Sequence, residues 1–147
     1  MSNGPSSMAN LADYQELFLG KKLGSGIARD VYEFVDPAMV VKVARDDYPG
    51  ERQNVAEWLT WECVEYTELA KWFAPCVLIS KSGSLLLQKR TQPVSTQELP
   101  THVPSFFTDL KLENWGRLGK RVVCHDYGSM ARLITVGLTS RLRKADW

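Results

Sequence analysis

Two short segments of the chain carry residue types that suit phosphate and metal chemistry. Asp109 and Asn114 lie five positions apart in Phe107-Thr-Asp-Leu-Lys-Leu-Glu-Asn114. Asp126 follows within His125-Asp-Tyr-Gly128. A carboxylate can orient a hydroxyl nucleophile, which is a role open to Asp109. A carboxylate and an amide oxygen can together hold magnesium against phosphate groups, and Asp126 and Asn114 supply that pair.

An upstream stretch offers partners for such a site. Gly24 and Gly26 permit a turn that brings backbone N–H groups close to phosphate oxygens, although an ordinary hairpin has the same pattern. Lys42 lies inside the β-branched run Met39-Val-Val-Lys-Val-Ala44. Ammonium groups are rarely buried without a partner. Lys42 therefore either faces water on an edge strand or reaches into a cleft to pair phosphates.

The spacing of apolar residues predicts that the longest helix runs from Glu51 to Phe73. Glu62 falls inside the apolar arc of this helix, whereas Glu57 lies nearer its polar side. A carboxylate on an apolar face needs a cation, and Lys42 is the nearest candidate in chain order. The residues that define the predicted apolar face are Val55, Leu59, Tyr66, Leu69 and Phe73.

The remaining segments contribute elements without obvious chemistry. Two short strands are predicted at Cys76 to Ile79 and at Ser84 to Gln88. The Pro-containing stretch from Thr91 to Ser105 is interpreted as a connector. The tail from Ser129 predicts one amphipathic helix interrupted by Gly137, either packed on the domain or presented as a basic surface for a membrane or partner.

Composition excludes several classes of function. The chain has 147 residues, 44% of them apolar, and a net charge of +1. This size predicts one domain or two small lobes that share a cleft. The charge gives no general reason to expect nucleic acid, and no apolar run approaches the roughly 20 residues of a membrane helix. The three cysteines show no metal-ligand spacing and indicate reduced, buried thiols of a cytosolic protein.

Taken in order, these segments resemble the protein-kinase superfamily from about Leu23 to Gly128. The most specific part is Asp109-x-Lys111-x-x-Asn114 followed by Asp126-Tyr-Gly128. The resemblance implies an α+β, protein-kinase-like fold, with a five-stranded antiparallel N-lobe sheet, one long helix and a strongly reduced C-lobe. The corresponding boundaries are a flexible leader at 1–10 and a single minimal domain at 11–147, divided into an N-lobe at 11–90 and a reduced C-lobe at 91–147.

The resemblance also implies a nucleotide site. Lys42 would pair the α- and β-phosphates of ATP while held by a helix glutamate, either Glu57 or Glu62. A hinge would meet adenine through its backbone groups. The residues implied for the phosphate-covering turn, the strand after it and the hinge are Gly24, Ser25, Gly26, Val31, Leu87, Gln88 and Lys89.

The same resemblance assigns the catalytic roles. Asp109 would be the catalytic base, and Lys111 would touch the γ-phosphate. Asn114 and Asp126 would ligate Mg²⁺. A lysine two positions after the base is similar to Ser/Thr protein kinases rather than to small-molecule phosphotransferases.

The chain departs from the family pattern in several places. Arg29 stands where the third glycine of the phosphate loop is expected, and it would stiffen the loop or contact phosphate itself. Phe107-Thr108 replaces the usual His-Arg before the catalytic Asp. The segment after Gly128 has no Ala-Pro-Glu and little room for a peptide platform. The chain therefore looks like the minimal kinase-like proteins of phages and bacterial effectors.

Two functions follow from this interpretation. The first is an ATP- and magnesium-dependent phosphotransferase of Ser/Thr protein-kinase type, which acts on a protein or on itself. The alternative is a pseudokinase that binds and modulates a host protein. Transfer to a small molecule is a weaker third hypothesis, which Lys111 disfavours. A cytoplasmic location is expected, in the host cytoplasm if the chain is phage- or effector-encoded, with a nucleotide and a protein as partners.

Overall fold

The computed structural model describes residues 11–45, 51–130 and 137–147, so the predicted leader at 1–10 lies outside the described residues. Short 3₁₀ helices at Glu68–Trp72, Thr96–Glu98 and Leu112–Asn114 connect the main elements. The main elements are α1 (Leu11–Phe18), β1 (Leu19–Ser25), β2 (Arg29–Phe34), β3 (Met39–Ala44), α2 (Glu51–Val64), β4 (Cys76–Ile79), β5 (Leu85–Lys89), β6 (His102–Pro104), β7 (Trp115–Leu118), β8 (Arg121–Cys124) and β9 (Leu142–Lys144).

A five-stranded antiparallel sheet carries the first half of the chain. Its strand order is β1-β2-β3-β5-β4, and α2 enters between β3 and β4 along the sequence. Residues 40–43 of the central strand β3 are all buried, as expected for a β-branched run that is covered on both faces. This arrangement confirms the predicted α+β architecture of a five-stranded sheet with one long helix.

The register of β2 against β3 decides which side chains can form a site. Val31 pairs directly with Lys42, so their side chains point to the same face of the sheet. Arg29 lies two positions before Val31 and therefore shares that face. Arg29 and Lys42, from neighbouring strands, both point toward α2.

Helix α2 is shorter than the sequence predicts. It ends at Val64, and the chain continues through the 3₁₀ helix at Glu68–Trp72. The cause is local, because the Thr67 hydroxyl accepts the N–H of Leu69 at 3.1 Å and caps a new, separate turn. The predicted single helix from Glu51 to Phe73 is therefore wrong beyond its first 14 residues.

The inward face of α2 also differs from the prediction. Leu59 is 44% exposed and Tyr66 is 92% exposed, although both were expected to pack inward. Asn54, Glu57 and Thr60 are fully buried instead, at a spacing of three residues. The helix thus buries a polar stripe, because the charged side chains of Arg29 and Lys42 on the sheet face it.

The hydrophobic core lies beneath this polar stripe and joins the two halves of the chain. Phe73 is fully buried at its centre, and its ring lies 4.9 Å from that of Tyr127 in an edge-on arrangement. Phe106 and Phe107 pack against the same ring at centroid distances of 6.1 and 5.3 Å. A backbone hydrogen bond also joins the two halves of the chain, because the N–H of Ala74 donates to the carbonyl of Cys124 at 2.8 Å.

The tail forms a strand where a helix was predicted. In the described part of this segment, β9 pairs antiparallel with β6, and residues 131–136 lie outside the described range. Arg143 points inward from β9 and donates from Nε and Nη2 to the carbonyl of Phe107, at 3.2 and 2.7 Å. Trp147 packs edge-on against Trp115 at 5.3 Å. The tail therefore braces the segment that leads into Asp109.

The cysteines and the membrane prediction can be compared with the structure directly. All three thiols are free; Cys76 and Cys124 are buried as predicted, whereas Cys63 is exposed. Within the described ranges, no helix combines the length and the apolar character needed to cross a membrane.

Gly128 packs so closely on α2 that a methyl group should destabilise the fold. A Cβ added there would lie 2.9 Å from the carbonyl oxygen of Gln53, which belongs to the helix backbone. We expect Gly128→Ala to lower the free energy of unfolding by about 1–3 kcal/mol, measured by urea denaturation. Gly24→Ala is the matched control, because a Cβ at Gly24 meets no atom within 4 Å, and it should shift stability by less than about 0.5 kcal/mol. Equal stability of the two variants would contradict the close approach.

Candidate functional site

The carboxylate of Glu57 is the centre of the candidate site. It is fully buried and accepts four hydrogen bonds from three segments of the chain. Arg29 donates to both of its oxygens, at 2.9 and 3.2 Å, and Lys42 Nζ donates to Oε2 at 2.7 Å. The backbone N–H of Tyr127 donates to Oε1 at 2.7 Å.

The charges around Glu57 overcome the cost of its burial. Desolvation alone would raise the pKa of this carboxyl group. The adjacent guanidinium of Arg29 and ammonium of Lys42 outweigh that effect and lower the pKa from 4.5 to about 2. Glu57 is therefore ionised at neutral pH although it is fully buried.

Arg29 is the second charged member of the site. Besides its two bonds to Glu57, it donates to Asn54 Oδ1 at 3.0 Å and to Asp126 Oδ1 at 2.9 Å. Burial disfavours the charged guanidinium, but Glu57 and then Asp126 outweigh burial and raise the pKa of Arg29. Arg29 was predicted to stiffen the loop or contact phosphate. The structure places its side chain inward instead, where it is only 6% exposed.

Lys42 is held from two sides. Its ammonium group donates to Glu57 and to the carbonyl of His125. The His125 ring is itself fixed, with Nδ1 bonded to the Thr91 hydroxyl at 2.7 Å and Nε2 to the carbonyl of Glu113 at 2.7 Å. Burial, followed by the charge of Lys42, lowers the pKa of His125, so the ring is neutral at pH 7.

The Asp-Tyr-Gly segment is anchored by its aromatic residue. Tyr127 is fully buried, and its hydroxyl donates to the carbonyl of Ala74 at 2.7 Å beside the Cys76 thiol. Burial raises the pKa of Tyr127 and raises that of Cys76 to about 12, so both groups stay protonated. The position of Asp126 is thereby set by its neighbour in the chain.

The two predicted magnesium ligands differ in their surroundings. Asp126 is half exposed, but its Oδ1 is already engaged by Arg29. Asn114 ends the 3₁₀ helix at Leu112–Asn114, and its carbonyl accepts the N–H of His125 at 2.8 Å. Among the residues that the structure describes, no group of three or more His, Cys, Asp or Glu side chains is placed to hold a metal ion. These contacts do not fit a tightly held divalent cation, and the Mg²⁺ site stays a prediction.

The predicted catalytic loop lies at the surface. Asp109 and Lys111 are 62% and 57% exposed, and their charged groups are 3.5 Å apart. Both side chains therefore face solvent, where an acceptor from another molecule can reach them. Their assignment as base and γ-phosphate ligand stays a prediction.

The glycine turn has open space above it. The N–H of Gly26 donates to the carbonyl of Arg29 at 2.8 Å and closes the turn between β1 and β2. Ser25 donates to Asp30, and Val31 pairs with Gly24 across the strands. The predicted phosphate-covering residues thus share one hairpin, whose strand β2 pairs with β3, the strand that carries Lys42.

The predicted hinge falls inside a strand. Leu87, Gln88 and Lys89 belong to β5, whose backbone is paired with β3 on one side and β4 on the other. The sheet therefore occupies the backbone groups that were expected to meet adenine. The N–H of Arg90 is likewise engaged, since it donates to the carbonyl of Ala38 at 2.9 Å, and the hinge assignment stays a prediction.

The choice between the two helix glutamates is settled by position. Glu57 pairs with Lys42, whereas Glu62 is exposed and forms no ion pair with any residue in the described ranges. The helical-wheel argument favoured Glu62 because it assumed an apolar inner face. The inner face of α2 is polar where it meets Arg29 and Lys42.

Asn54 was not expected in the site, and Arg29 was expected there in a different role. Asn54 is fully buried and bridges Arg29 to β3, since its Nδ2 donates to the carbonyl of Lys42 at 3.2 Å. Arg29 was predicted as a replacement for the loop glycine that stiffens the loop or contacts phosphate, and not as a partner of Glu57. The signal that could have found Arg29 is its position two residues before Val31 on a strand, because alternation puts both side chains on the Lys42 face.

Removal of the Glu57 charge should damage the fold far more than removal of the Glu62 charge. Glu57→Gln leaves Arg29 and Lys42 buried without their shared counter-ion, so we expect a loss of about 3–5 kcal/mol in unfolding free energy. Glu62→Gln is the matched control on the same helix and should change stability by less than about 0.5 kcal/mol. Chemical denaturation of both variants measures the difference. Similar losses would contradict the assignment of Glu57 as the paired glutamate.

The dependence of stability on low pH should come from the same carboxylate, that of Glu57. Because the folded pKa of Glu57 is lowered from 4.5 to about 2, its contribution is complete above about pH 4.5 and disappears as the pH falls through about 2. The shift corresponds to about 3 kcal/mol. We therefore expect the stability gap between wild type and Glu57→Gln to narrow steadily below pH 4.5, measured by urea unfolding at each pH. A gap that stays constant down to pH 2 would show that the carboxylate is not stabilised in this way.

Comparison with known proteins gives a weak structural match. The chain matches no protein-family model and no curated protein. Among solved structures it is similar to the ternary complex of streptomycin, ATP and APH(2")-IIa, with 20% sequence identity and a TM-score of 0.43. The match covers 67% of this chain and 36% of that chain, so this chain spans about a third of that protein's length. A similarity this low does not establish a shared activity.

Proposed function

We propose that this chain binds ATP in a kinase-like site and transfers its γ-phosphoryl group to a hydroxyl of a protein, either a partner or a second copy. The observation that carries the proposal is the buried pair of Lys42 and Glu57, 2.7 Å apart. A lysine inside a strand is costly to bury, and a structural role would be met equally well by an apolar residue. A positioned ammonium group, one strand away from a glycine turn, suits the recognition of phosphates.

The binding step uses groups that are already in place. An ammonium group has three N–H donors, and Lys42 directs two of them to Glu57 and to the carbonyl of His125. Among the described residues Lys42 has no third acceptor, and we infer that its third donor, on a side chain that is largely buried, turns to a phosphate oxygen when ATP binds. The turn at Gly24 and Gly26 would cover the phosphates, and it has room to do so at Gly24, where an added Cβ meets no atom within 4 Å apart from its chain neighbours.

The transfer step would take place at the exposed loop. The acceptor hydroxyl oxygen attacks the γ-phosphorus, the bond to the bridging oxygen of the β-phosphate breaks, and ADP leaves. Asp109 accepts the hydroxyl proton, and Lys111 balances the γ-phosphate charge. The exposure of both side chains supports an acceptor that is delivered by another protein. The lysine at position 111 supports a protein hydroxyl over a small molecule.

A second candidate is a module that binds nucleotide and a protein partner without turnover. The observation that favours it is the ion pair between Arg29 and Asp126, at 2.9 Å. In a phosphotransferase this aspartate is expected to be free for a metal ion. Its engagement by Arg29 would slow the chemistry while leaving nucleotide binding intact.

One experiment separates these candidates. ATP at 100 times its Kd should stabilise the wild type by about 2.7 kcal/mol in thermal unfolding. Gly24→Val should keep the stability of the free protein, because the space there is open, and should lose the stabilisation by ATP. Asp109→Asn should bind ATP as the wild type does and transfer no labelled phosphate.

The possible results have distinct meanings. Binding without transfer by the wild type, tested with and without cell lysate as a source of acceptor, favours the second candidate. Transfer that survives in Asp109→Asn removes Asp109 from the base role. Stabilisation that survives in Gly24→Val removes the glycine turn from the nucleotide site, and the absence of any stabilisation rejects both candidates.

A further inference from the structure

The site contains one more cation than its predicted role requires. Arg29 occupies the position of an expected glycine, and its side chain crosses from β2 to α2 and to the Asp-Tyr-Gly segment. We propose that the Arg29 guanidinium is a built-in counter-ion for Asp126, so that this site binds ATP without a divalent metal ion. The inference rests on the nucleotide-binding step of the proposed function, which both candidate functions share.

The first argument is the balance of charge. Without Arg29, the ammonium of Lys42 would face two carboxylates, those of Glu57 and Asp126. The excess negative charge would repel phosphates and attract a divalent cation. With Arg29 in place, the site holds two cations and two carboxylates. An incoming phosphate chain then meets a neutral cluster, and a divalent cation loses the attraction that would hold it there.

The second argument is the geometry of the guanidinium. Its Nη1 donates to Asn54 and Glu57, and its Nη2 donates to Glu57 and Asp126, which uses all four terminal N–H groups. The side chain is only 6% exposed. A group bonded in this way is not a loose surface partner of Asp126. Its Nη2 donates to Oδ1 of Asp126 at 2.9 Å, and this is the carboxylate that a metal ion would need as a ligand.

The third argument is the permanence of the charge. An arginine does not lose its proton in proteins, so Asp126 keeps its counter-ion at every pH at which the protein folds. The bidentate contact with Glu57 fixes the plane of the guanidinium and with it the direction of the bond to Asp126. A lysine at position 29 would supply the charge without this fixed geometry.

The test compares ATP affinity with and without metal in wild type and in Asp126→Asn. A non-hydrolysable ATP analogue is titrated calorimetrically, once with Mg²⁺ and once with EDTA. Under the proposal, the Kd of the wild type differs between the two buffers by less than about threefold. Asp126→Asn, which can still accept a hydrogen bond from Arg29, also shows less than about threefold metal dependence.

Other outcomes overturn the proposal. Affinity that is at least about tenfold higher with Mg²⁺, and that loses this gain in Asp126→Asn, shows a metal ion held by Asp126. If the analogue binds in neither buffer, both the proposed function and this inference are rejected. This result differs from a failure of the inference alone, in which the analogue binds much more tightly with Mg²⁺ than with EDTA. Binding of the analogue in EDTA, together with no transfer of labelled phosphate from ATP itself in a separate assay, leaves the inference standing and favours the non-catalytic candidate.

A substitution at Arg29 supplies the converse measurement. Arg29→Met should weaken metal-free binding by at least about tenfold, and Mg²⁺ should restore much of the loss, because the site then carries an unbalanced carboxylate. Arg29→Lys keeps the charge and should stay closer to the wild type in EDTA. Metal-free affinity that is unchanged in Arg29→Met would refute the counter-ion role. If Arg29→Met does not fold, the comparison of wild type with Asp126→Asn decides the question alone.

Discussion

A fully buried carboxylate lies at the centre of this molecule, and the rest of the structure depends on how its charge is satisfied. Burial of an ion costs several kcal/mol unless hydrogen-bond donors replace the lost water. For Glu57 these donors come from β2, from β3 and from the segment after β8. If any of the three segments moved away, this buried charge would lose at least one of its hydrogen bonds. The carboxylate thus ties together parts of the chain that are far apart in sequence.

This constraint connects stability with function. Lys42 is already immobile before any ligand arrives, since Glu57 and the carbonyl of His125 hold its ammonium group. Binding to a prepared lysine costs less conformational entropy than binding to a free surface lysine. The contact of Gly128 with the backbone of Gln53 fixes the approach of the Asp-Tyr-Gly segment to α2. Because the same contacts hold the fold and prepare the site, a loosened core would also cost ligand affinity.

Much of the sheet could be predicted from the sequence, whereas the interior of the site could not. Alternation and β-branched runs indicate strands locally, so β3, β4 and β5 were found close to their observed bounds. The inward face of α2 depends on what lies opposite the helix, so an apolar-face rule pointed toward Glu62 and could not decide between Glu62 and Glu57. Arg29 gave no motif of its own, because its role comes from the register between β2 and β3. The tail forms β9 because it pairs with the edge of β6. This pairing joins residues far apart in sequence, so the local periodicity that predicted a helix could not indicate it.

The pairing of β9 with β6 has a consequence for how the protein is made. The carbonyl of Phe107, two residues before Asp109, is held by Arg143, which the ribosome adds much later. The sheet and α2 can form while this later segment is still inside the exit tunnel, but the loop that carries Asp109 cannot be braced until residues 142–147 have emerged. At typical rates of synthesis this delay is on the order of seconds. A nascent chain can therefore bring β2, β3 and α2 together before the carbonyl of Phe107 gains its two hydrogen bonds from Arg143.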